Sequence, residues 1–306
     1  MKALLPTGDE AEPVVRGEAD EPRPAPGQAL VKVEAFSVNR GEIFRLRGAP
    51  RTGRPGKDIA GLVVQAAADG SGPQAGQRVV GHPPEGGWAE YAAVDTGRLA
   101  VLPEGVSAIR AAALPLAGLT ALRLLRTAGC VSGHPVLITG ASGGVGHYFT
   151  ELAIGAGAQV TAVTATPERG RRLAEFGARV VHSLDDARGP FHVVLESVGG
   201  PSTARALALL RPRGQLIWFG QASREPARLD FFRFFDGPES AAVRHFHYEH
   251  FDEPYDADLA ALVRLVAENR LHPEIGRLAD WRHTAQTLND LHDRRIAGNA
   301  VLTIGQ

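Results

Sequence analysis

A glycine-rich turn constrains the fold of this chain more than any other feature. The turn reads Gly140-Ala141-Ser142-Gly143-Gly144-Val145-Gly146, between a buried-strand pattern at 136–139 and a helical pattern at 148–155. At such a turn, missing side chains let the backbone approach a pyrophosphate, and the helix N-terminus offers N–H groups and a positive dipole end. The turn therefore predicts a dinucleotide-binding unit, with cofactor contacts from Ser142, Gly143, Gly144 and Val145.

Strand and helix patterns alternate after this turn. The pattern predicts strands at 159–164, 180–182, 191–196 and 215–220, and helices at 167–176, 202–210 and 256–269. Alternation of this kind is typical of a doubly wound parallel sheet with helices on both faces. A last short strand is predicted at 299–304, and the sequence does not identify its sheet.

The first 110 residues differ in character from the rest. Proline and glycine are frequent there, and short β-like runs at 29–35, 60–66 and 77–81 are bounded by turn residues, which favours a mostly β domain. An Ala/Leu-rich helical pattern begins near Ala111, with Pro115 close to a helix start. A length of 306 residues allows two domains, and we predict their boundary in this region.

Charge and cysteine content narrow the class of partner. Lys plus Arg is 33 against 34 for Asp plus Glu, so the net charge of −1 gives no electrostatic drive toward nucleic acid or an anionic membrane. The single cysteine, Cys130, cannot form an internal disulfide or a cysteine-rich zinc site. No apolar run approaches the roughly 20 residues of a membrane span, and none at the start has signal-peptide length. We expect a cytoplasmic protein with a small-molecule partner.

The glycine turn also fits a different chemistry. Gly140-x-Ser142-x-Gly144 matches the nucleophile elbow of α/β-hydrolases, in which Ser142 would attack an ester. The triad would be completed from Asp230 or Asp252 and His283 or His292. This serine esterase leaves Gly143 and Gly146 unexplained, and a tight turn without a ligand is a further alternative.

The residues after the second strand of the alternating region bear on which dinucleotide binds. An NAD site places an acid at this strand end for the ribose 2′-hydroxyl, whereas a 2′-phosphate favours small polar and cationic groups. The chain has Thr164, Thr166 and Arg169 here, with no acid at the strand end. This favours NADPH, with Thr166 as a hydroxyl donor and Arg169 as the charge partner. The alternative for the arginines is a solvated helix face, because Glu168 and Arg172 form an i,i+4 pair.

Four segments carry a family resemblance: 111–121, the glycine turn, Glu196-Ser197-Val198-Gly199-Gly200 and Gly87-Trp88-Ala89-Glu90-Tyr91. In these the chain resembles the zinc-independent quinone oxidoreductase and enoyl reductase branch of the medium-chain dehydrogenase/reductase superfamily. The resemblance implies a β-rich GroES-like catalytic domain over 1–116 and 273–306 and a Rossmann domain over 117–272. It also implies a homodimer, in which the segment around His245 is an edge strand that pairs across the interface.

The same resemblance implies hydride transfer from NADPH to a quinone or an α,β-unsaturated carbonyl compound, without a metal. Asn39 would lie beside the nicotinamide and the substrate, and Thr120 near the nicotinamide. Phe219, Gly220 and Gln221 would offer backbone groups to the nicotinamide side. A cofactor-binding protein without turnover is the remaining alternative, because the chain departs from its family at several positions.

Those departures concern metal ligands and proton donors. Zinc-dependent relatives carry a catalytic cysteine and a Gly-His-Glu motif, where this chain has Asn39 and Gly56-Lys57-Asp58, so no metal is predicted. Tyrosines that family members often carry shortly after Asn39 are missing from 40–50, which leaves the proton donor unassigned. The common Gly-Lys before the last strand is Gly298-Asn299.

Four other groups have simpler interpretations. His245 and His247 are predicted to share one face of a strand, near His250, without binding a metal. The aromatic run at 231–235 is expected to pack in the core or an interface, or else to line a substrate pocket. Arg45 and Arg47 are expected on a solvated face, with an acidic substrate as the alternative, and His147 is expected to be structural.

Overall fold

The computed structural model describes residues 1–47 and 53–305 of the chain. The chain divides into two compact units, Met1–Leu119 with Asp252–Gln306, and Thr120–Phe251. The division predicted from the sequence assigned 252–272 to the second unit, so the two divisions differ over that stretch. No helix in the described part of the chain is both long and apolar enough to cross a membrane.

The elements are numbered along the chain. The strands are β1 Lys2–Pro6, β2 Val14–Glu18, β3 Gln28–Val38, β4 Asp58–Gln65, β5 Arg78–Gly81, β6 Tyr91–Asp95, β7 Leu99–Val101, β8 Pro135–Ile138, β9 Gln159–Val163, β10 Arg179–Val181, β11 Phe191–Glu196, β12 Leu210–Trp218, β13 Ala242–His245, β14 Ile275–Asp280 and β15 Asn299–Thr303. The helices are α1 Arg40–Leu46, α2 Ala108–Ala112, α3 Pro115–Ala128, α4 Gly144–Gly155, α5 Pro167–Glu175, α6 Pro201–Ala208, α7 Tyr255–Ala267 and α8 Thr284–His292.

The first unit is built on a seven-stranded sheet. Its order is β14-β15-β3-β4-β5-β7, with β6 also paired to β3 and a separate β1-β2 ribbon. Strand β15 pairs with β3 in antiparallel orientation, so the predicted C-terminal strand belongs to the sheet of the first unit. The hydrophobic core of this unit includes Val31, Phe36, Ile59 and Trp88, all fully buried. The ring of Phe36 stacks on that of Trp88 at 5.8 Å between centroids.

The second unit is a six-stranded parallel sheet in the order β10-β9-β8-β11-β12-β13. Counted within the unit, this is the order 3-2-1-4-5-6, the Rossmann arrangement. The predicted doubly wound sheet is therefore confirmed. Strand order reverses between β8 and β11, and ligands of such sheets bind outside the carboxyl ends of the strands at that point.

Two local predictions differ from the structure. Helix α4 begins at Gly144, one turn earlier than the helical pattern suggested, because glycine has a poor intrinsic helix propensity and hides the start. The expectation that His245 and His247 share one strand face is wrong. Strand β13 ends at His245, where its partner β12 ends at Trp218, and the chain then turns with the His250 amide donating to the His247 carbonyl.

The close contact between the start of α4 and the preceding turn leads to a prediction for Gly146. A Cβ atom at Gly146 would lie 2.3 Å from the Ala141 carbonyl oxygen. Gly146→Ala should therefore lower the free energy of unfolding by roughly 1–3 kcal/mol, the usual cost of overpacking, as measured by urea denaturation. Gly155→Ala in the same helix is the control, because nothing lies within 4 Å of its Cβ position. Equal stability of the two variants would contradict this packing.

Candidate functional site

The carboxyl ends of β8 and β11 are joined by paired hydrogen bonds. The Ser197 amide donates to Thr139 Oγ1 at 3.0 Å, and Ser197 Oγ donates to the Thr139 carbonyl at 3.1 Å. The Thr139 amide donates to the Leu195 carbonyl. These bonds fix the sheet edge where the strand order reverses, and so fix the start of the glycine turn.

The glycine turn has the geometry of an anion cradle. Gly140 adopts φ +61°, and a Cβ there would lie 2.6 Å from Ser197 Oγ. Gly143 is the N-cap of α4 and makes no side-chain cap hydrogen bond, so it supplies no acceptor to the first-turn N–H groups. Backbone N–H groups at an uncapped helix start, next to glycines that a side chain would obstruct, are the features that accommodate a pyrophosphate.

The same geometry bears on the esterase alternative. A nucleophile elbow holds its serine on a sharp, strained turn. Ser142 is half-buried and is not among the residues with positive φ. Asp230, one of the acids named for a triad, instead accepts a hydrogen bond from the Phe232 amide at the start of a short 3₁₀ helix.

His147 lies in the first turns of α4, and its Nδ1 is 3.1 Å from the Gly143 carbonyl oxygen, which supports its predicted structural role.

The segment after β9 forms a capped helix start. Thr166 is the N-cap of α5, and its hydroxyl accepts the Arg169 amide at 3.5 Å. Thr164 is buried, and its hydroxyl donates to the Thr166 carbonyl at 3.1 Å. The hydrogen bond with Thr166 lowers the pKa of Glu168 below its ordinary value. The structure thus brings Thr166 and the backbone of Arg169 together, while the Thr164 hydroxyl bonds within the protein.

His182 is a residue of this segment that sequence reasoning missed. It follows β10, is exposed, and its Nδ1 lies 3.4 Å from Thr164 Oγ1. Because β10 and β9 are parallel neighbours, their carboxyl ends reach the same sheet edge. No local pattern marks His182, since the contact depends on the pairing of the two strands.

The loops after β11 and β12 are tied together by a buried carboxylate and a close glycine contact. Glu196 is fully buried, and its Oε1 accepts the amides of Val198 at 2.8 Å and Gly199 at 2.7 Å. A Cβ at Gly199 would lie 2.5 Å from Gln221 Cγ. The Phe219 amide donates to the Glu196 carbonyl. The predicted Phe219-Gly220-Gln221 loop therefore lies against the Gly199-Gly200 turn.

Thr120, predicted to lie near the nicotinamide, is a buried residue of α3.

In the first unit, Asn39 is held by a buried carboxylate. Asn39 Nδ2 donates to Asp58 Oδ2 at 2.6 Å, and Ser37 Oγ donates to the same oxygen at 2.6 Å. His82 Nδ1 lies 2.9 Å from Asp58 Oδ1, which also accepts the Leu116 amide at 3.0 Å. The sequence singled out Asp58 only as a departure from a metal motif. Its role as the residue that orients Asn39 follows from the pairing of β3 with β4.

Glu42 is a second residue that the sequence did not single out. It lies in the first turn of α1, is 5% exposed, and its Oε2 accepts the Asn39 amide at 2.8 Å. Its Oε1 has no hydrogen-bond partner among the described residues. Burial, and then the Asp58 carboxylate, raises the pKa of Glu42 to about 8, against opposing effects of the Asn39 amide and of Lys57.

The arginines after Asn39 have different surroundings. Arg47 donates to Asn289 Oδ1 at 2.9 Å, so it is part of a structural contact. Arg45 is exposed on α1 and lines a cavity of about 140 Å³. Residues 48–50, the end of the stretch that lacks tyrosine, lie outside the described residues.

Asn299, which replaces the common lysine before the last strand, has a structural role. Its backbone amide donates to the Glu274 carbonyl oxygen at 2.8 Å.

The aromatic run after the Gln221 loop is not a core element of its unit. Phe231, Phe232 and Phe235 are 69%, 73% and 64% exposed, so the expectation of core packing is wrong for these three. Only Phe234 of the four phenylalanines packs against the hydrophobic core of the sheet. The reason is that the run forms a short 3₁₀ helix whose turns cannot bury every ring. An interface or a pocket wall stays open as its role.

Within residues 1–47 and 53–305, no group of three or more His, Cys, Asp or Glu side chains is arranged to hold a metal ion. The two histidines after β13, His247 and His250, make ring contacts. His247 stacks on Tyr248 and lies 5.0 Å from the ring of His250.

Comparison with known proteins gives the family. The profile described as alcohol dehydrogenase GroES-like domain matches residues 25–104, and the one described as zinc-binding dehydrogenase matches residues 144–267. The chain belongs to the medium-chain dehydrogenase/reductase superfamily, with its GroES-like and Rossmann folds. The family predicted from the sequence is therefore confirmed.

Three similar proteins illustrate the range of this family. The chain is 31% identical over 296 residues to the spectinabilin polyketide synthase system protein NorB of Streptomyces orinoci, covering 92% of this chain but 13% of that protein. It is 25% identical over 345 positions to an acryloyl-coenzyme A reductase of Metallosphaera sedula, covering 99% of this chain and 100% of that protein. A mycobacterial protein solved in complex with NADPH has a TM-score of 0.89 and 25% identity, covering 99% and 100% of the two chains.

The raised pKa of Glu42 makes stability depend on pH. Below its ordinary pKa of 4.5, the carboxyl is protonated in both the folded and unfolded states. Between about pH 4.5 and 8 the unfolded state loses this proton first, so the stabilising contribution is lost as pH rises. The free energy of unfolding of the wild type, relative to Glu42→Gln, should fall by up to roughly 1.4 kcal/mol per pH unit over this range.

Urea denaturation of both proteins at several pH values measures this difference. The Glu42→Gln variant is the reference because it lacks the titrating carboxyl. All other titrating groups are the same in both proteins, so their contributions to the pH dependence cancel in the difference. A difference between the two proteins that stays constant from pH 5 to pH 8 would contradict the raised pKa.

Proposed function

We propose that this protein is an NADPH-dependent oxidoreductase that delivers a hydride to a quinone or an α,β-unsaturated carbonyl compound. The observation that carries the proposal is the glycine cradle at the point where the strand order of a Rossmann sheet reverses. A Cβ atom at Gly140 would lie 2.6 Å from Ser197 Oγ and one at Gly146 would lie 2.3 Å from the Ala141 carbonyl oxygen, while Gly143 begins α4 without a side-chain cap. The similarity to a mycobacterial protein solved with NADPH supports the choice of cofactor.

The fit of the chain to NADPH can be assigned by residue. The pyrophosphate would be held by the backbone of Ser142, Gly143, Gly144 and Val145. The 2′-phosphate would be held by Thr166 and Arg169 at the start of α5, with Thr164 shaping the turn beneath them. The nicotinamide would be met by Thr120 and by the 219–221 loop. When bound, NADPH supplies the hydride.

The protein's own contribution is to orient the acceptor and to stabilise charge that develops on its oxygen. Asn39 suits this role because Asp58 fixes its amide group through a 2.6 Å hydrogen bond. A side chain whose rotamer is fixed by a second hydrogen-bond partner loses less entropy when it meets its ligand. An acceptor that is already electron-poor needs no metal to polarise it, which favours quinones and conjugated carbonyl compounds over simple aldehydes.

The oligomeric state is part of the proposal. Strand β13 is the edge of the Rossmann sheet, and all four of its residues are exposed. An unpaired edge strand offers free backbone groups that a second copy can pair with. We therefore expect a homodimer formed through β13.

The acceptor class is tested by following NADPH oxidation with a panel of quinones, enones and enoyl thioesters. Steady oxidation with at least one of them is the expected result, and it would remove the cofactor-binding protein without turnover. Hydrolysis of a p-nitrophenyl ester that Ser142→Ala abolishes, together with no NADPH oxidation, would instead establish the esterase.

The assignment of the 2′-phosphate site is tested by Arg169→Ala. Loss of one charge-assisted hydrogen bond is worth about 1.5–3 kcal/mol, so the NADPH dissociation constant should rise on the order of 10- to 100-fold. The dissociation constant for NADH should change little, because NADH lacks the 2′-phosphate. Both are measured by fluorescence titration.

Arg171→Ala is the matched control, since Arg171 lies on the same helix and is exposed. It should affect both dissociation constants weakly. Equal increases for NADPH and NADH in Arg169→Ala would refute the role of Arg169.

A further inference from the structure

Reduction of a conjugated double bond requires a proton as well as a hydride. The tyrosines that family members often carry shortly after Asn39 are missing from this chain. Its four tyrosines lie elsewhere: Tyr91 is in strand β6, Tyr148 is buried in α4, and Tyr248 donates to Glu249. Tyr255 begins α7, with its ring 5.6 Å from that of His82 and 4.3 Å from the Arg98 guanidinium. A carboxyl directly beside Asn39 is therefore a candidate for the proton donor.

Glu42 lies at the border between the Asn39 network and a cavity. Its Oε2 accepts the backbone amide of Asn39, which joins it directly to the residue proposed to meet the substrate. The cavity of about 140 Å³ is lined on this side by Glu42, Arg45, Leu46, Arg54, Lys57 and Glu85. A space of this size holds several water molecules or a small conjugated group.

The two oxygens of Glu42 differ in their surroundings. Oε2 is used by the Asn39 amide, whereas Oε1 is buried and has no hydrogen-bond partner in the described part of the chain. Buried polar atoms without a partner are rare in folded proteins, and a catalytic role or a bound water or ligand is one explanation for them. Glu42 Oε1 differs from the other such atoms because its carboxyl lines a cavity. Oε1 is thus the atom of this carboxyl that is available to a ligand.

The charges that face Glu42 favour its protonated form. Burial, and then the Asp58 carboxylate, raises its pKa to about 8, while the Asn39 amide and both the charge and the backbone N–H of Lys57 act in the opposite direction. Arg45, Arg54 and Glu85 are the other charged groups in the cavity wall. At neutral pH the proton belongs on Oε1, because Oε2 accepts the Asn39 N–H. The carboxyl then presents an O–H donor that no described residue accepts.

We propose that Glu42 is the catalytic proton donor for reduction of conjugated carbonyl acceptors, taking the place of the absent tyrosines; the proposal rests on the function proposed above. The hydride brings two electrons to the β-carbon, and the electron pair of the double bond moves onto the α-carbon and carbonyl oxygen. The Oε1–H bond of Glu42 breaks, its electron pair stays on Oε1, and the proton forms a C–H bond at the α-carbon. Water in the cavity returns a proton to the carboxylate.

Quinones and conjugated carbonyl compounds should depend differently on a general acid. Hydride transfer to a quinone leaves the negative charge on oxygen, which takes a proton from water without a positioned acid. Conjugated carbonyl compounds need a proton on carbon, a slow step that a general acid accelerates by about 10²–10⁴-fold. Loss of the Glu42 proton should therefore slow enone reduction far more than quinone reduction.

Glu42→Gln is the informative variant. A glutamine keeps the side-chain volume and an oxygen that accepts the Asn39 amide, so a purely structural cap survives the change. Glu34→Gln is the matched control, since Glu34 is an exposed carboxyl on β3, the strand that leads to Asn39, and does not line the cavity. Glu42→Gln should lower kcat for an enone on the order of 100-fold, with a much smaller effect for a quinone, and Glu34→Gln should change neither by more than about twofold.

The pH profile and a direct titration separate a proton donor from a structural residue. In the wild type, kcat for the enone should fall as pH rises through about 8, and this decline should vanish in Glu42→Gln. In protein without cofactor, ¹³C NMR of labelled glutamate should show one carboxyl that titrates near pH 8 and is missing from Glu42→Gln. A Glu42 carboxyl that titrates near 4.5, or an unchanged enone kcat in Glu42→Gln, would overturn the proposal.

Failure of the proposed function would look different. A wild-type protein that oxidises NADPH with no acceptor would refute the oxidoreductase activity. The carboxyl titration would still decide whether Glu42 holds its proton at neutral pH, because it needs neither cofactor nor substrate.

Discussion

Close contact between the start of helix α4 and the glycine turn before it is the constraint on which the candidate cofactor site depends. The backbone passes so closely that a single methyl group at Gly146 would lie 2.3 Å from a carbonyl oxygen. Ser197 and Thr139 hold the neighbouring strand end in place through two hydrogen bonds. Together these contacts hold the uncapped start of α4 at the sheet edge, where we propose that the pyrophosphate binds.

A buried carboxylate organises the first unit in a comparable way. Asp58 collects hydrogen bonds from Asn39, Ser37, His82 and the Leu116 amide, so the Asn39 side chain has one orientation. Its charge adds to the effect of burial in raising the pKa of Glu42. One carboxylate thus fixes the Asn39 side chain and favours the protonated form of a neighbouring acid.

Much of the fold was predictable because its signals are local. Buried strands, the glycine turn and Pro115 at a helix start are all encoded by neighbouring residues, and the Rossmann order follows from their alternation. The candidate site was predictable only in part. Glu42, Asp58 and His182 escaped notice because their roles arise from the pairing of distant strands and from burial, which no short motif reports. Core packing of Phe231, Phe232 and Phe235, one of the roles expected for the aromatic run, was wrong because aromatic composition alone does not distinguish a core from an interface or a pocket wall.

The most direct measurement of the central claim is hydrogen exchange of the backbone amides with and without NADPH, analysed by mass spectrometry. If the glycine cradle holds the cofactor, peptides covering 140–146 and 164–169 should exchange more slowly when NADPH is present, and NADH should protect the second segment less. Binding of NADPH without protection of 140–146, or no effect of NADPH at any peptide, would contradict the proposed cofactor site.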